Sequence, residues 1–141
     1  MTRLKLGMVG GGQGAFIGAV HRMAARLDGH WDLVAGCLSS NPERAAASAA
    51  ELGVARSYTS YEAMAVAEAA LADGIDAVAI VTPNHMHGPV AKAFLAAGIH
   101  VICDKPLTHS LPEAKRLAKA AKASGVVFAL THNYTGYPMV R

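Results

Sequence analysis

The stretch Gly10-Gly11-Gly12-Gln13-Gly14-Ala15-Phe16-Ile17-Gly18 has a composition that chemistry explains directly. Glycine lacks a Cβ, so a backbone made of it can turn tightly and bring its N–H groups close to an anion. The run lies between an apolar segment, Leu4 to Val9, and a segment that reads as helix, Gly18 to Leu27. A strand, a glycine-rich turn and a helix start, in that order, hold the pyrophosphate of a dinucleotide, and the free N–H groups of the helix start face its charge. Gly10, Gly12 and Ala15 satisfy G-x-G-x-x-[G/A], with Gly18 as the alternative third position. The candidate contacts are Gly10, Gly12, Gln13, Gly14, Ala15, Phe16 and Ile17. With 14 glycines in 141 residues the pattern alone is a weak sign. The strand before it and the helix after it give it weight.

A second group stands at the end of the next strand, Trp31 to Leu38. In a dinucleotide fold this strand end meets the adenine ribose, and an acid there accepts hydrogen bonds from the two ribose hydroxyls. Here the positions hold Ser39, Ser40 and Asn41, with Arg44 one turn into the following helix. Two hydroxyls and a guanidinium suit a 2′-phosphate better than a free hydroxyl, which favours NADP over NAD. The same stretch also caps a helix, with Asn41 as N-cap and Pro42 at the first helical position.

A third group, Thr82-Pro83-Asn84-His85-Met86-His87-Gly88-Pro89, follows the apolar strand Ile75 to Val81. It stands where ligands bind in open α/β sheets, outside the carboxyl end of a parallel strand. No Cys, Asp or Glu adjoins the two histidines and their spacing is not that of a helix face, so no metal site is expected. A neutral histidine hydrogen-bonded to a ribose or an amide fits better. Asp104-Lys105-Pro106 ends the strand Ile99 to Cys103 on the same edge, and Thr131-His132-Asn133-Tyr134 follows the strand Val126 to Leu130.

The elements that position these groups alternate regularly. A helix from Pro42 to Leu52 stops at Gly53, and Thr59-Ser60-Tyr61-Glu62 offers a T-x-x-E capping box for a helix to about Leu71. A further helix ends at Ala97 before Gly98. Ser110-Leu111-Pro112-Glu113 is a second capping box, opening a helix that lasts to Ser124 before Gly125. His21 and Arg22 lie in the second turn of the first helix and read as packed or surface residues. The strand Ile75 to Val81 has no polar face, as expected when helices cover both of its sides. This alternation predicts an α/β domain over residues 1–141, a doubly wound parallel sheet of the Rossmann dinucleotide-binding type.

Composition agrees. Hydrophobic residues make up 52% and charged residues 16%, which excludes a disordered chain. No apolar run approaches the roughly eighteen residues of a membrane span. No signal peptide is read at the start, and Cys37 and Cys103 read as buried free thiols, so a cytoplasmic location is expected. The net charge of +3 is scattered along helices, which argues against a nucleic-acid partner.

Gly10-x-Gly12, Ile17-Gly18-x-x-His21, Thr82-Pro83-Asn84-x-x-His87 and Asp104-Lys105-Pro106 together resemble the glucose–fructose oxidoreductase, inositol dehydrogenase and rhizopine-catabolism (Gfo/Idh/MocA) family over the whole chain. The T-P-N-x-x-H and [E/D]-K-P pair, about twenty residues apart on successive strands, is more specific than the glycines. Two departures stand out: the glycine turn is about three residues longer than usual, and Asp104 replaces the commoner Glu. The resemblance implies an NAD(P)-dependent oxidoreductase acting on a sugar, cyclitol or related polyol, homo-oligomeric in its full-length form and without a membrane partner. It makes Lys105 the catalytic residue, a base for the substrate hydroxyl or an electrostatic support for the alkoxide, provided that burial tunes it. Thr82, Pro83, Asn84, His87, Asp104, Lys105 itself, Pro106 and Asn133 become cofactor contacts around the nicotinamide half, with Tyr134 bordering it or the substrate. Family members continue into a second domain that supplies most of the substrate pocket. This chain therefore reads as the nucleotide-binding half of such an enzyme, with a non-catalytic dinucleotide-binding or redox-sensing module as the alternative.

Overall fold

The computed structural model describes residues 2–140. Strands and helices alternate as β1 (Leu4–Gly10), α1 (Phe16–Leu27), β2 (Trp31–Cys37), α2 (Pro42–Leu52), β3 (Arg56–Ser57), α3 (Tyr61–Ala70), β4 (Ala77–Val81), α4 (His87–Ala96), β5 (His100–Asp104), α5 (Leu111–Ser124) and β6 (Phe128–Thr131). Short 3-10 turns at Asn84–Met86 and Asn133–Gly136 follow β4 and β6. The six strands form one parallel sheet in the order β3-β2-β1-β4-β5-β6. From β1 the chain builds outward to β3, crosses over, and builds the other way from β4 to β6. This is the doubly wound sheet expected from the sequence, and its direction reverses between β1 and β4.

Right-handed crossovers send α1 and α2 to one face and α3, α4 and α5 to the other. The apolar core divides accordingly. Val78, Ile80, Val101 and Cys103 pack with Met64, Phe94 and Leu117 beneath the three-helix face. Leu6, Met8, Ala79 and Val81 pack with Ala49 beneath the two-helix face, where Ile17 and Ala25 of α1 adjoin them. All five residues of β4 are buried, as its unbroken apolar run required. Past α1, over β5, the two-helix face holds a groove of about 610 Å³ bordered by Val20, Ala24, Trp31 and Ile102.

The caps of α2, α3 and α5 follow the sequence with two corrections. Asn41 Oδ1 accepts from the Arg44 N–H and Gly53 closes α2 in the left-handed region, both as expected. The α3 cap lies one residue later than Thr59: Ser60 Oγ accepts from the Ala63 N–H and donates to Glu62 Oε2. Ser110 stands at the N-cap of α5 but makes no side-chain cap bond. The Glu113 side chain, the other half of the box, turns away from Ser110: it is buried against Gly88 of α4, and its Oε2 lies 3.0 Å from His109 Nδ1 without a hydrogen bond among the described residues. Strand β3 was absent from the sequence reading. Buried Glu68 secures it, taking Arg56 Nε and Nη2 at 2.7 and 2.8 Å and the Tyr58 hydroxyl at 2.9 Å. Glu68 also accepts from the Ile75 N–H. That bond accompanies the start of β4 at Ala77 rather than Ile75.

Candidate cofactor-binding site

Because the strands are parallel, the turns after β1, β2, β4, β5 and β6 all emerge on one edge of the sheet. Registers bring Gly10 opposite Val81 and Asp104 opposite Thr131. The glycine turn therefore faces the Thr82 loop across the reversal point, and Lys105 follows one strand further on.

The β1 turn is held by close packing. Gly10, Gly11 and Gly14 have φ of 82°, 74° and 79°, a region that L side chains rarely enter. Helix α1 begins at Phe16, two residues before the sequence suggested, so Gly18 falls inside its first turn. There it answers the open question of the third glycine: a Cβ on Gly18 would come to 2.4 Å from the Gly11 Cα. Ala15 instead occupies the N-cap position in extended conformation. A Cβ on Gly12 would meet the Leu38 carbonyl oxygen at 2.6 Å and Ser48 Oγ at 2.8 Å.

Two of the expected N–H contacts are already used within the chain. The Gly12 N–H donates to the Leu38 carbonyl and the Gln13 N–H to Ser48 Oγ, while Gln13 Nε2 donates to Glu51. These bonds fix the turn to β2 and α2. The helix start itself stays open: Ala15 provides no side-chain cap, so the first amides of α1, from Phe16 onward, have no intrahelical acceptor. Arg22 Nη1 donates to the Gly11 carbonyl at 2.7 Å from beneath the turn. Burial lowers the Arg22 pKa, Arg26 lowers it further, and Glu51 opposes both. Neither Arg22 nor Ser48 stood out in the sequence, because their roles arise from the helix phase and from the approach of α2.

At the β2 end, Ser39 Oγ accepts from the Asn41 N–H at 3.1 Å, which leaves its hydroxyl proton free to donate outward. Ser40 and Arg44 are exposed. The Arg44 guanidinium has no partner among the described residues.

On the other side of the reversal point, Pro83 and Asn84 are exposed, and the Thr82 hydroxyl is buried with no hydrogen-bond partner among the described residues. The Thr82 methyl group lies beside Gly10, where an added Cβ would approach it to 3.1 Å. His87 differs from expectation. It is the first residue of α4, it is buried, and its two ring nitrogens face the backbone carbonyls of Pro106 and Thr82 rather than the crevice. No local pattern marks this, since the pairing spans two loops.

Asp104 continues the β5 alternation onto the face opposite buried Cys103. Its Oδ1 accepts from the Thr131 hydroxyl at 3.0 Å and lies 3.5 Å from His21 Nε2. His21 is thus brought to the site from the middle of α1. Burial, and then the Asp104 charge, push the Cys103 thiol up to about 12. Lys105 is exposed and joined to Pro106 by a cis peptide. Its ammonium has no partner among the described residues, and residues 2–140 do not supply the burial that a proton-transfer role requires. Lys105, Asp104, His21, Thr131, Asn133, Tyr134 and Ile17 line one end of the 610 Å³ groove. No cluster of three potential metal ligands occurs among the described residues.

The residues fit a dinucleotide. An uncapped helix start, a turn in which Cβ atoms added to Gly11, Gly12 and Gly18 would clash, and an orphaned hydroxyl beside it all lie at the reversal point between β1 and β4.

Comparison with known proteins agrees. A solved oxidoreductase from Sinorhizobium meliloti is 64% identical with a TM-score of 0.95, over 100% of this chain and 40% of its own. An inositol dehydrogenase homologue from Azotobacter vinelandii, solved with NAD+, is 39% identical with a TM-score of 0.92, over 98% of this chain and 36% of its own. A scyllo-inositol 2-dehydrogenase (NADP(+)) from Bacillus subtilis is 37% identical over 89 residues, covering 63% of this chain and 26% of the relative. The chain thus spans well under half the length of these proteins. The family model described as an oxidoreductase family with an NAD-binding Rossmann fold matches residues 4–132, and the chain belongs to that Gfo/Idh/MocA family.

Proposed function

We propose that this chain is the cofactor-binding part of an NAD(P)-dependent oxidoreductase that moves hydride between the nicotinamide and a carbinol carbon of a sugar, cyclitol or related polyol. The observation that carries the reading is the open start of α1 beneath a turn where Gly12 and Gly18 leave no room for a side chain. The first α1 amides hold the pyrophosphate, and Gly10 and Gly14 shape the backbone around it. Ser39 and Ser40 donate to a 2′-phosphate and Arg44 reaches back to it, so NADP is bound at least as well as NAD. Asn84, Asp104 and Asn133 border the nicotinamide half. When bound, the nicotinamide supplies the hydride acceptor or donor. Lys105 takes the hydroxyl proton or holds the alkoxide once a further domain, which also provides most of the substrate pocket, covers it. The buried free thiols Cys37 and Cys103 fit a reducing cytoplasm.

Titrating the chain with NADH and with NADPH, for the unmodified protein and for Ser39→Asp, tests this reading. Both cofactors should bind, NADPH at least as tightly, with no steady-state turnover of inositols or simple sugars. Charge-assisted hydrogen bonds are worth about 1.5–3 kcal/mol each, so Ser39→Asp should shift the ratio toward NADH by about tenfold to a hundredfold. Absence of binding overturns the cofactor reading. NADH binding that is tenfold tighter in the unmodified chain, or a ratio unmoved by the substitution, overturns the NADP preference.

A further inference from the structure

His87 has nothing left to offer a ligand. Nδ1 lies 2.7 Å from the Pro106 carbonyl oxygen and Nε2 lies 2.9 Å from the Thr82 carbonyl oxygen, and only 1% of the residue is exposed. Carbonyls only accept, so the ring must be the donor in each bond that forms. The two acceptors sit in different loops. Thr82 opens the loop after β4, which carries Asn84, and Pro106 directly follows Lys105 in the loop after β5. Strands β4 and β5 are paired as far as Ile80↔Cys103, and no strand pairing continues beyond that register. His87 bridges them there, from the first residue of a helix whose Val90, Ala91 and Phe94 are locked in the core.

We propose that His87 is a positioning residue for Lys105, a latch that sets the β5 loop against the β4 loop so that the lysine and Asn84 address the same volume. The proposal rests on the cofactor reading only for its purpose, because the latch itself is a property of the two loops. A bond from Nδ1–H to the Pro106 carbonyl crosses between loops, whereas one from Nε2–H to the Thr82 carbonyl stays within the β4 loop and its helix, and a ring with a single N–H makes only one of them.

Side-chain geometry separates these two bonds. Asparagine places its amide nitrogen near the position of Nδ1 and can keep the donor toward Pro106. Glutamine places its amide nitrogen near Nε2 and can keep the donor toward Thr82. Leucine fills the space and keeps neither. In this chain, His87→Asn, His87→Gln and His87→Leu are compared by amide hydrogen exchange without cofactor, by NADH titration and by thermal unfolding. Loss of one net hydrogen bond corresponds to roughly tenfold, so exchange at Asp104 and Thr131, the last pair of the β5–β6 ladder before the β5 loop, should rise by about tenfold in the Gln and Leu variants, with NADH binding weakened by a similar factor. The Asn variant should stay within about threefold of the unmodified chain in both, while it and the Gln variant melt at similar temperatures. The latch is overturned if the Asn and Gln variants show the same exchange, or if the faster exchange spreads over the whole sheet in step with melting temperature. Because the Asn and Gln variants decide the matter between them, failure of the Leu variant to fold does not affect the test. Loop-specific exchange in a chain that binds no NADH supports the latch and overturns the cofactor reading instead.

Discussion

At the β1 end of the crevice the backbone is fixed by packing and hydrogen bonds from α1, α2 and β2, whereas at the β5–β6 end the side chains of Lys105 and Asn133 stand in the open. Gly12, Gln13 and Gly11 are tied to Leu38, Ser48 and Arg22, and Gly18 lies against Gly11. Lys105 and Asn133 are exposed, and Lys105 has no partner among the described residues. The difference matches what the proposed function asks of each end. Backbone amides bind an anion well only if they are already aimed, because ordering them at the moment of binding would cost conformational entropy. A proton-transfer group acts in a covered, water-poor site, and the cover can come from elsewhere. One end is therefore finished within the chain, and in the proposed function the other acts only once it is covered.

The largest effect should come from the open end. In a protein that joins this chain to a substrate domain, Lys105→Ala should lower the rate of the chemical step by about 10²–10⁴-fold while changing cofactor affinity little. Stopped-flow kinetics beside cofactor titration measures both, and equal losses in the two would dissolve the contrast between the ends. Next comes the packed end. Gly18→Ala forces a Cβ into the Gly11 backbone, so stability should fall by about 1–3 kcal/mol, as overpacking does, together with a marked loss of dinucleotide binding. Denaturant unfolding and titration check the pair, and unchanged binding would show that the turn tolerates re-aiming.

The smallest effect is expected one residue before the open end. Cys103 points to the three-helix face, and its thiol is raised from 9.0 to about 12 by burial and Asp104. A folded value above the unfolded one stabilises the native state fully below pH 9, and that contribution fades as pH climbs toward 12. Native protein at pH 8 should therefore resist thiol alkylation at Cys103 while denatured protein reacts readily, with peptide mass spectrometry as the readout. Rapid native labelling would mean that the covered side opens as easily as the crevice.

The sequence revealed what local physics dictates. Apolar runs gave the strands apart from β3, and glycine or asparagine gave the ends of α2. What it concealed depends on distance along the chain. Strand β3 has two residues, too few for any periodicity, and exists because Glu68 holds Arg56. The box at Ser110 was legible as a motif, yet Glu113 packs against Gly88 of another helix. Gly18 and Ala15 could not be ranked without the close approach of Gly11. His21 looked like an ordinary helix residue until β5 brought Asp104 to within 3.5 Å of it. His87 was recognisable as important, but not as a residue that faces two carbonyls instead of the crevice.

The strand order has a consequence for how the protein behaves in concentrated solution. An open sheet has two free borders, and a long flat border recruits strands from other molecules. Here the borders are β3, with two residues, and β6, with four. A template that short offers an incoming strand few backbone partners, and Pro138 follows soon after β6 to interrupt any extension. Both borders are thus shorter than the long flat edges that recruit foreign strands.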